Sequence, residues 1–532
     1  MSATTGLGEL VRLALRRDRV RLPGWIGSIV AATAGTAASF PTTYPDAQAR
    51  LGALMTIDNP GTTALVGPLY GEGDYTYGIM VGHQLLGMVA VVAALMSIFT
   101  VVRHTRAEEE SGRAELVRAA PVGRTAPALA ALVVAVGANL VLAAGLTLAL
   151  GGLGIETVTW RGSALFGAAV GAVGLVLAGV ASVTAQLTEH ARAASSMAGL
   201  VLAAAFVVRA TGDVSVEGLS WASPIGWAQA TEPFYADDGA PLALALGLAV
   251  VLLAGAVVLG RRRDLGSGLL TARPGPARAG SALSGPFGLA WRTSRGSLVG
   301  WTLGVFFFGL FYGPILSESS TFLDNVPVLE EFVPDVEASV AELFAAMIIA
   351  VVAIICAIPA LQTVLRLRTE ETSGRAGPLL ATALSRTRWA LANHVLALLA
   401  GAVVLTAGGL GLGLGAAWSM DEPSWVGTAT GAALAYLPAV AVVVGLGALL
   451  HGWVPRAVGA AWLPVVVGFF FSYFGELLDL PQAVLDVSPF THVSQQPAVA
   501  FEAAPLAWLS LVALLAIGLG LVGLRRRDLL DA

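Results

Sequence analysis

The chain has 532 residues, 56% hydrophobic and 12% charged, with a formal net charge of −5 and a mean hydropathy of +0.77. Soluble domains carry about twice that charged fraction, so the composition excludes a soluble globular domain, a disordered chain and a fibre, leaving a polytopic helical membrane protein. The single cysteine, Cys356, excludes a disulfide framework, and all 30 basic residues are Arg, which excludes the lysine of a phosphate-binding P-loop and Schiff-base chemistry.

Along the chain, Leu7, Leu10, Val11 and Ala14 share one helical face, with Arg12, Arg16 and Arg19 on another. This pattern predicts an amphipathic helix lying on the inner membrane surface. The basic start and the small residues Ala37, Ala38 and Ser39 also have the outline of a signal peptide, the less favoured reading. Apolar runs long enough to cross a core of about 30 Å then follow at 22–41, 79–102, 125–154, 163–187, 193–211 and 241–260. Six more follow at 298–317, 343–365, 389–418, 426–450, 457–474 and 505–524. The expected fold is therefore all-α, with twelve transmembrane helices. With the N-terminus in the cytoplasm, only Arg50, Arg161 and Arg209 of the 30 Arg fall outside, and only 12 of the 35 acidic residues fall inside. That arginine bias orients the chain and puts both termini in the cytoplasm.

Four features recur in order. Leu13-Ala14-Leu15-Arg16 with Trp25 returns as Leu289-Ala290-Trp291-Arg292 with Trp301. Glu108–Arg124 (EEESGRAELVRAAPVGR) returns as Glu370–Arg386 (EETSGRAGPLLATALSR), Ser223-Pro224 as Ser488-Pro489, and the Arg-Arg-Arg-Asp-Leu of 261–265 at 525–529. The order predicts two parallel six-span halves, 1–265 and 285–532, joined by a linker at 266–284 that contains Pro274, Gly275 and Pro276. Parallel repeats imply an axis along the membrane normal and a pathway between the halves. In each half a charged inner segment, 103–124 or 366–388, separates spans two and three. An outer segment, 212–240 or 475–504, carries the Ser-Pro pair, and either short dipping helices or a solvated loop suits it.

No Asp or Glu lies well inside the expected spans. His83, Asn139 and His394 fall within or near the ends of spans, with Glu342 and Arg209 at outer edges. Ion-driven carriers use intramembrane carboxylates or histidines, so ion coupling has weak support, and the inner loop lacks the Gly-Asp-Arg signature of major facilitator proteins. The spans hold no paired carboxylates or metal-spaced histidines, so no catalytic or metal site is expected. Energy could instead enter through the two repeated inner segments. Glu108 with Glu109, and Glu370 with Glu371, favour a helix N-terminus. Gly112 and Gly374 follow, and Arg113, Arg118 and Arg124, or Arg375 and Arg386, offer hydrogen-bonding cations.

With the surface helix, the charged segment between spans two and three and the Ser-Pro before each last span, the chain resembles the permeases of ABC exporters of the type V fold. Its tandem arrangement and Arg/Ala/Gly-rich composition are similar to actinobacterial permeases described as exporters of polyketide antibiotics, including multidrug efflux and antibiotic-resistance members. The resemblance implies a multi-pass protein of the bacterial plasma membrane that moves hydrophobic or amphipathic compounds outward by alternating access. It implies two copies of a separate ATP-binding subunit, with ATP and Mg held there, no cofactor on this chain and no nucleic-acid partner. The chain would then be no enzyme by itself, and 103–124 and 366–388 would be its coupling helices. Glu115, Val117 and Arg118 face Gly377, Leu379 and Leu380, so the two halves would couple unequally. Spans two and five would line the substrate path with Met80, His83, Met88, Phe206, Phe344, Met347, Phe469, Phe470, Phe471 and Tyr473, a pliable apolar set. A lipid or glycolipid ABC exporter, or an ion-driven drug exporter, is the alternative.

Overall fold

The computed structural model describes residues 4–57, 60–71, 74–214, 216, 218–264, 266–270, 278, 280, 283, 285–314, 316–317, 340–474 and 481–528. Among these residues every regular element is helical. The chain divides into two compact units, Met1–Gly275 and Pro276–Ala532. Residues 271–277, 279, 281–282 and 284 of the expected linker, and 475–480 of the second outer segment, lie outside the described residues.

The first unit begins with the helix Leu7–Arg17, whose Ala14 is buried. After a turn at Asp18 come the helices Arg21–Thr43, Tyr77–His104, Ala126–Gly151, Trp160–Leu187, Ala191–Val214 and Leu242–Arg261. Side chains tie their ends into two layers. At one end Tyr77 donates to the Tyr44 carbonyl at 2.6 Å, and the Thr157 hydroxyl accepts from the Gly78 amide at 3.0 Å. At the other, arginine-rich end, residues of Leu7–Arg17, of Tyr77–His104 and the segment after it, and of Ala126–Gly151, Trp160–Leu187 and Leu242–Arg261 meet. The helix Trp160–Leu187 is central, and Gly167, Gly171 and Gly174 let its neighbour come close. Asn139 uses that room, donating to the Ser97 hydroxyl and to the Ala135 carbonyl, both at 2.9 Å. It is a satisfied interhelical polar contact of the kind that holds helices together in lipid.

The second unit holds Pro286–Tyr312, Val340–Thr372, Arg386–Met420, Ser424–Ala435, Leu437–Trp453, Leu463–Phe474 and Ala503–Arg526. Here the expected surface helix and first span form one continuous helix of 27 residues. Pro286–Tyr312 and Arg386–Met420 pack backbone to backbone: a Cβ on Gly309 would lie 2.5 Å from the Gly408 carbonyl oxygen, and one on Gly415 2.4 Å from that of Leu310. Only glycine permits so close an approach.

Ten helices among the described residues are long and apolar enough to cross a membrane, and ten of the twelve expected spans coincide with them. The other two do not qualify, each for a physical reason. Arg21–Thr43 is long enough at 23 residues, but Gly24, Gly27, Ser28, Thr33, Gly35, Thr36, Ser39 and Pro41 dilute its apolar character. The stretch 457–474 is divided between a 3-10 helix, Pro455–Trp462, and a 12-residue α-helix, Leu463–Phe474.

The Ser-Pro pairs are local structure. The Ser223 hydroxyl caps the helix Pro224–Gln229, accepting from the Ile225 amide at 3.2 Å, with Pro224 in the first turn. The buried Ser488 accepts from the Phe490 amide at 3.3 Å in the same way. Pro224–Gln229 is buried against the first unit's long helices, which gives that outer segment a packed short helix.

Candidate functional site at the arginine-rich ends

Each repeated charged segment continues the second long helix of its unit. In the first unit the chain runs through Arg106–Glu110, turns at Ser111-Gly112 and resumes as Arg113–Ala119. In the second, Val340–Thr372 turns at Ser373-Gly374 into Ala376–Leu380. The repeated glycine has φ +74° at Gly112 and +70° at Gly374, and a Cβ at either would meet nothing within 4 Å. Backbone strain alone therefore opposes a side chain. Gly112→Ala and Gly374→Ala are each expected to cost about 1–2 kcal/mol, the penalty of a left-handed L-residue. Thermal unfolding of the purified protein checks this, with Asn expected to cost less than Ala.

The carboxylates before these turns point into the protein. Glu109 receives Arg263 at 2.5 Å and Arg106 at 2.7 Å. Arg106 also donates to the Ser267 carbonyl at 2.6 Å and to that of Thr188. Arg527 Nη2 donates to both oxygens of Glu371, at 2.7 and 2.9 Å, and His451 Nε2 lies 3.1 Å from the same carboxylate. The structure thus joins two of the four sequence repeats: the second Glu of each Glu-Glu pair is clamped by the third Arg of each Arg-Arg-Arg-Asp-Leu. Gln186 accepts from Arg263 Nε at 2.5 Å, in the first unit's counterpart of the His451 contact.

The first Glu of each pair ties the segment to the start of its unit. Glu108 receives Arg17 of the surface helix at 2.7 Å and Arg113 at 3.2 Å. Glu370 receives Arg366 and the Trp389 indole, both at 3.3 Å, and Arg366 also reaches the Thr293 carbonyl at 2.6 Å and the Ser294 hydroxyl at 3.1 Å. In the first unit the equivalent reach is made by His104 and Arg103, which bond the buried Asp18 at 2.6 and 2.9 Å. The same tie is built in both units from different side chains.

These groups lie beyond the apolar stretches of their helices, and their charges settle one another. Burial pushes the Glu108 carboxyl up, but the Arg17 hydrogen bond and charge, with Arg113, outweigh it and hold the carboxyl below its usual range. The hydrogen bond to Glu108 raises Arg17 in turn. Burial likewise opposes the charge on Glu371, and His451 and Arg527 overcome it.

Of the remaining residues expected to couple to a partner, Arg124 donates to the Arg261 carbonyl at 3.3 Å and Arg386 to that of Arg527 at 2.7 Å. Exposed at the tips are Arg113, Glu115, Leu116 and Arg118 in the first unit, with Leu116 75% exposed, and Arg375, Gly377 and Pro378 in the second. Sequence reasoning did not assign Arg17, Arg106, Arg263, Arg366, His451 or Arg527 to this site. The repeat of Arg-Arg-Arg-Asp-Leu was the available signal for two of them.

A family model described as multidrug efflux system permease Rv1217c, C-terminal domain, matches residues 7–261 and 283–525. The chain belongs to this permease family. It is 40% identical over 538 residues to the multidrug efflux system permease protein Rv1217c of Mycobacterium tuberculosis (strain ATCC 25618 / H37Rv), a similarity that covers 99% of this chain and 96% of that protein.

In this multi-pass permease the residues expected along a substrate path occupy different environments. Met80 and His83 are buried in the first unit's own core, with His83 Nδ1 2.8 Å from the Tyr75 hydroxyl and Nε2 3.2 Å from the Gly67 carbonyl oxygen. Phe206 packs on that core beneath the Arg209 guanidinium, 4.6 Å from its ring centroid. Met88, Phe344, Met347, Phe469 and Phe470 are exposed on the surface of their units, and Phe471 is half-buried. The Tyr473 side chain lies outside the described residues. Of the set, Met80 and His83 have packing and hydrogen-bonding duties that occupy them.

Proposed function

We propose that this permease exports hydrophobic or amphipathic drugs, polyketide antibiotics among them, by alternating access, powered by ATP hydrolysed on two copies of a separate subunit. Membership of a family whose named relative is a multidrug efflux permease carries the reading. The absence of lysine from the sequence supports an ATPase site on another chain, and the scarcity of ionisable groups inside the spans argues against ion coupling.

In this reading the arginine-rich ends face the cytoplasm and the tips Arg113–Ala119 and Ala376–Leu380 meet the ATP-binding subunits. The inward ion pairs then act as linkages within each unit. A push on the first tip passes to the second long helix through the Gly112 turn, to the surface helix through Arg17–Glu108, and to the last long helix through Glu109–Arg263. In the second unit Glu371–Arg527 takes the last of these roles and Arg366 the tie to Pro286–Tyr312. The carboxylates transmit, and the exposed Arg113, Leu116, Arg118 and Arg375 make the contact. Met88, Phe344, Met347, Phe469 and Phe470 supply apolar surface for the substrate.

The test is co-purification in mild detergent, with ATPase activity of the recovered material as readout. Leu116→Asp with Arg118→Glu is expected to abolish recovery of an ATPase while leaving the permease folded, and Pro378→Asp to reduce it less. Unchanged recovery and unchanged drug transport in vesicles would sink the docking assignment. Transport that collapses with an uncoupler while ATP is maintained would replace it with an ion-driven exporter.

A further inference from the structure

The first unit holds a cavity of about 150 Å³ at its arginine-rich end. One wall is the surface helix Leu7–Arg17, through Leu10 and Leu13; another is the ends of Ala126–Gly151 and Leu242–Arg261, through Leu132 and Val257. The polar rim carries five arginines, and they are not equivalent. Arg17 is spent on Glu108 and Arg263 on Glu109, while His104 is held by Asp18. Arg118, Arg124 and Arg261 have no carboxylate partner among the described residues; the Arg124 guanidinium donates to a backbone carbonyl. Asp264 is the remaining acid on the wall, so the rim keeps an excess of two positive charges over an apolar floor.

A cavity of about 150 Å³ is large enough to admit a benzene-sized group, and so a phosphate headgroup. The cavity lies beneath the amphipathic helix Leu7–Arg17, a kind of helix that settles where acyl chains meet headgroups, and Leu13 on its edge is 47% exposed, so an apolar chain can continue outward from it. Guanidinium groups match phosphate oxygens with paired, charge-assisted hydrogen bonds. The second unit has Leu380 in the repeat position of Arg118 and so lacks one of these three cations.

We propose that this cavity holds the phosphate of an anionic phospholipid of the inner leaflet, gripped by Arg118, Arg124 and Arg261, with its acyl chains against Leu10, Leu13 and Val257. The site shares Arg118 with the surface that the ATPase reading uses, but it needs only this chain, and Leu116 lies outside the cavity lining.

The test reconstitutes the full permease in mixed phosphatidylglycerol and phosphatidylcholine vesicles, re-extracts it in mild detergent and measures the retained lipid by mass spectrometry. Phosphatidylglycerol is expected to be enriched over phosphatidylcholine. Each of Arg118→Gln, Arg124→Gln and Arg261→Gln should cut the enrichment about fivefold, the ratio for about 1 kcal/mol per basic residue at an anionic surface. Arg388→Gln, an exposed arginine of the second unit, should leave it unchanged. The variant at the exposed Arg118 decides the matter if the Arg124 or Arg261 variant fails to fold. Enrichment that survives Arg118→Gln overturns the proposal. Displacement of the lipid by an equal concentration of inorganic phosphate also overturns it, in favour of a soluble-anion site. Leu116→Asp separates the two readings: it should lose the ATPase and keep the lipid.

Discussion

Glu371→Ala is expected to destabilise the permease by about 3–5 kcal/mol, the cost of removing one partner from a buried ion pair. The Glu371 side chain is 0% exposed and that of Arg527 14%, so the guanidinium left behind has little water to turn to. Replacing both partners, Glu371→Gln with Arg527→Gln, should cost less than the two single changes added together, because no uncompensated charge remains buried. Unfolding in detergent followed by tryptophan fluorescence checks this, and strictly additive losses would show that the pair is not coupled. The effect carries a pH signature. The folded-state carboxyl sits below its ordinary value of 4.5, so the pair's stabilisation is complete above that value and fades as pH falls through the lowered one. The wild-type protein should therefore lose more stability on acidification than the Ala variant does.

Arg209→Gln is expected to cost a similar amount at the opposite end of the first unit. The Arg209 side chain is 0% and that of Asp213 3% exposed, with 3.2 Å between them. The same guanidinium donates to the carbonyls of Thr63 at 3.3 Å, Ala64 at 2.7 Å and Leu65 at 3.1 Å. These close the short helix Pro60–Val66, whose last carbonyls have no partner within the helix. Glutamine would leave Asp213 buried without its cation and most of those carbonyls unsatisfied. Arg209→Lys keeps the charge but loses the planar fork, so an intermediate loss is expected. Thermal unfolding, with limited proteolysis of the Ala47–Val66 region, measures both. Unfolding of the Gln variant indistinguishable from wild type would mean that the cap holds nothing.

Arg209 illustrates how far the sequence could be read. Its place at the outer edge of an apolar run was visible, and it gave no support for ion coupling. Its actual task, closing a helix 146 residues earlier in the chain at Thr63, had no local signature. The Glu-Glu pairs are the converse case. Their repetition marked them out, and their charge pointed to a helix N-terminus; Glu108 and Glu109 do lie in a first turn, whereas Glu370 and Glu371 end a long helix, and both units turn these carboxylates inward onto arginines. Met80 and His83 were singled out by residue type and span number, which cannot say on which side of a helix its packing partner lies.

The sequence by itself determined the class of the protein, ten of its long apolar helices, the arginine asymmetry and the internal repeats. Those properties are carried by hydropathy summed over some twenty residues and by identity at a distance, and neither needs coordinates. The tertiary structure alone decided which arginine meets which glutamate, that Gly112 and Gly374 are left-handed turns, and which residues remain exposed at the tips. Arg263 and Arg527 reach Glu109 and Glu371 across more than 150 residues. Such pairings follow from where packed helices end in space, and the order of residues along one chain does not contain that information in any local form.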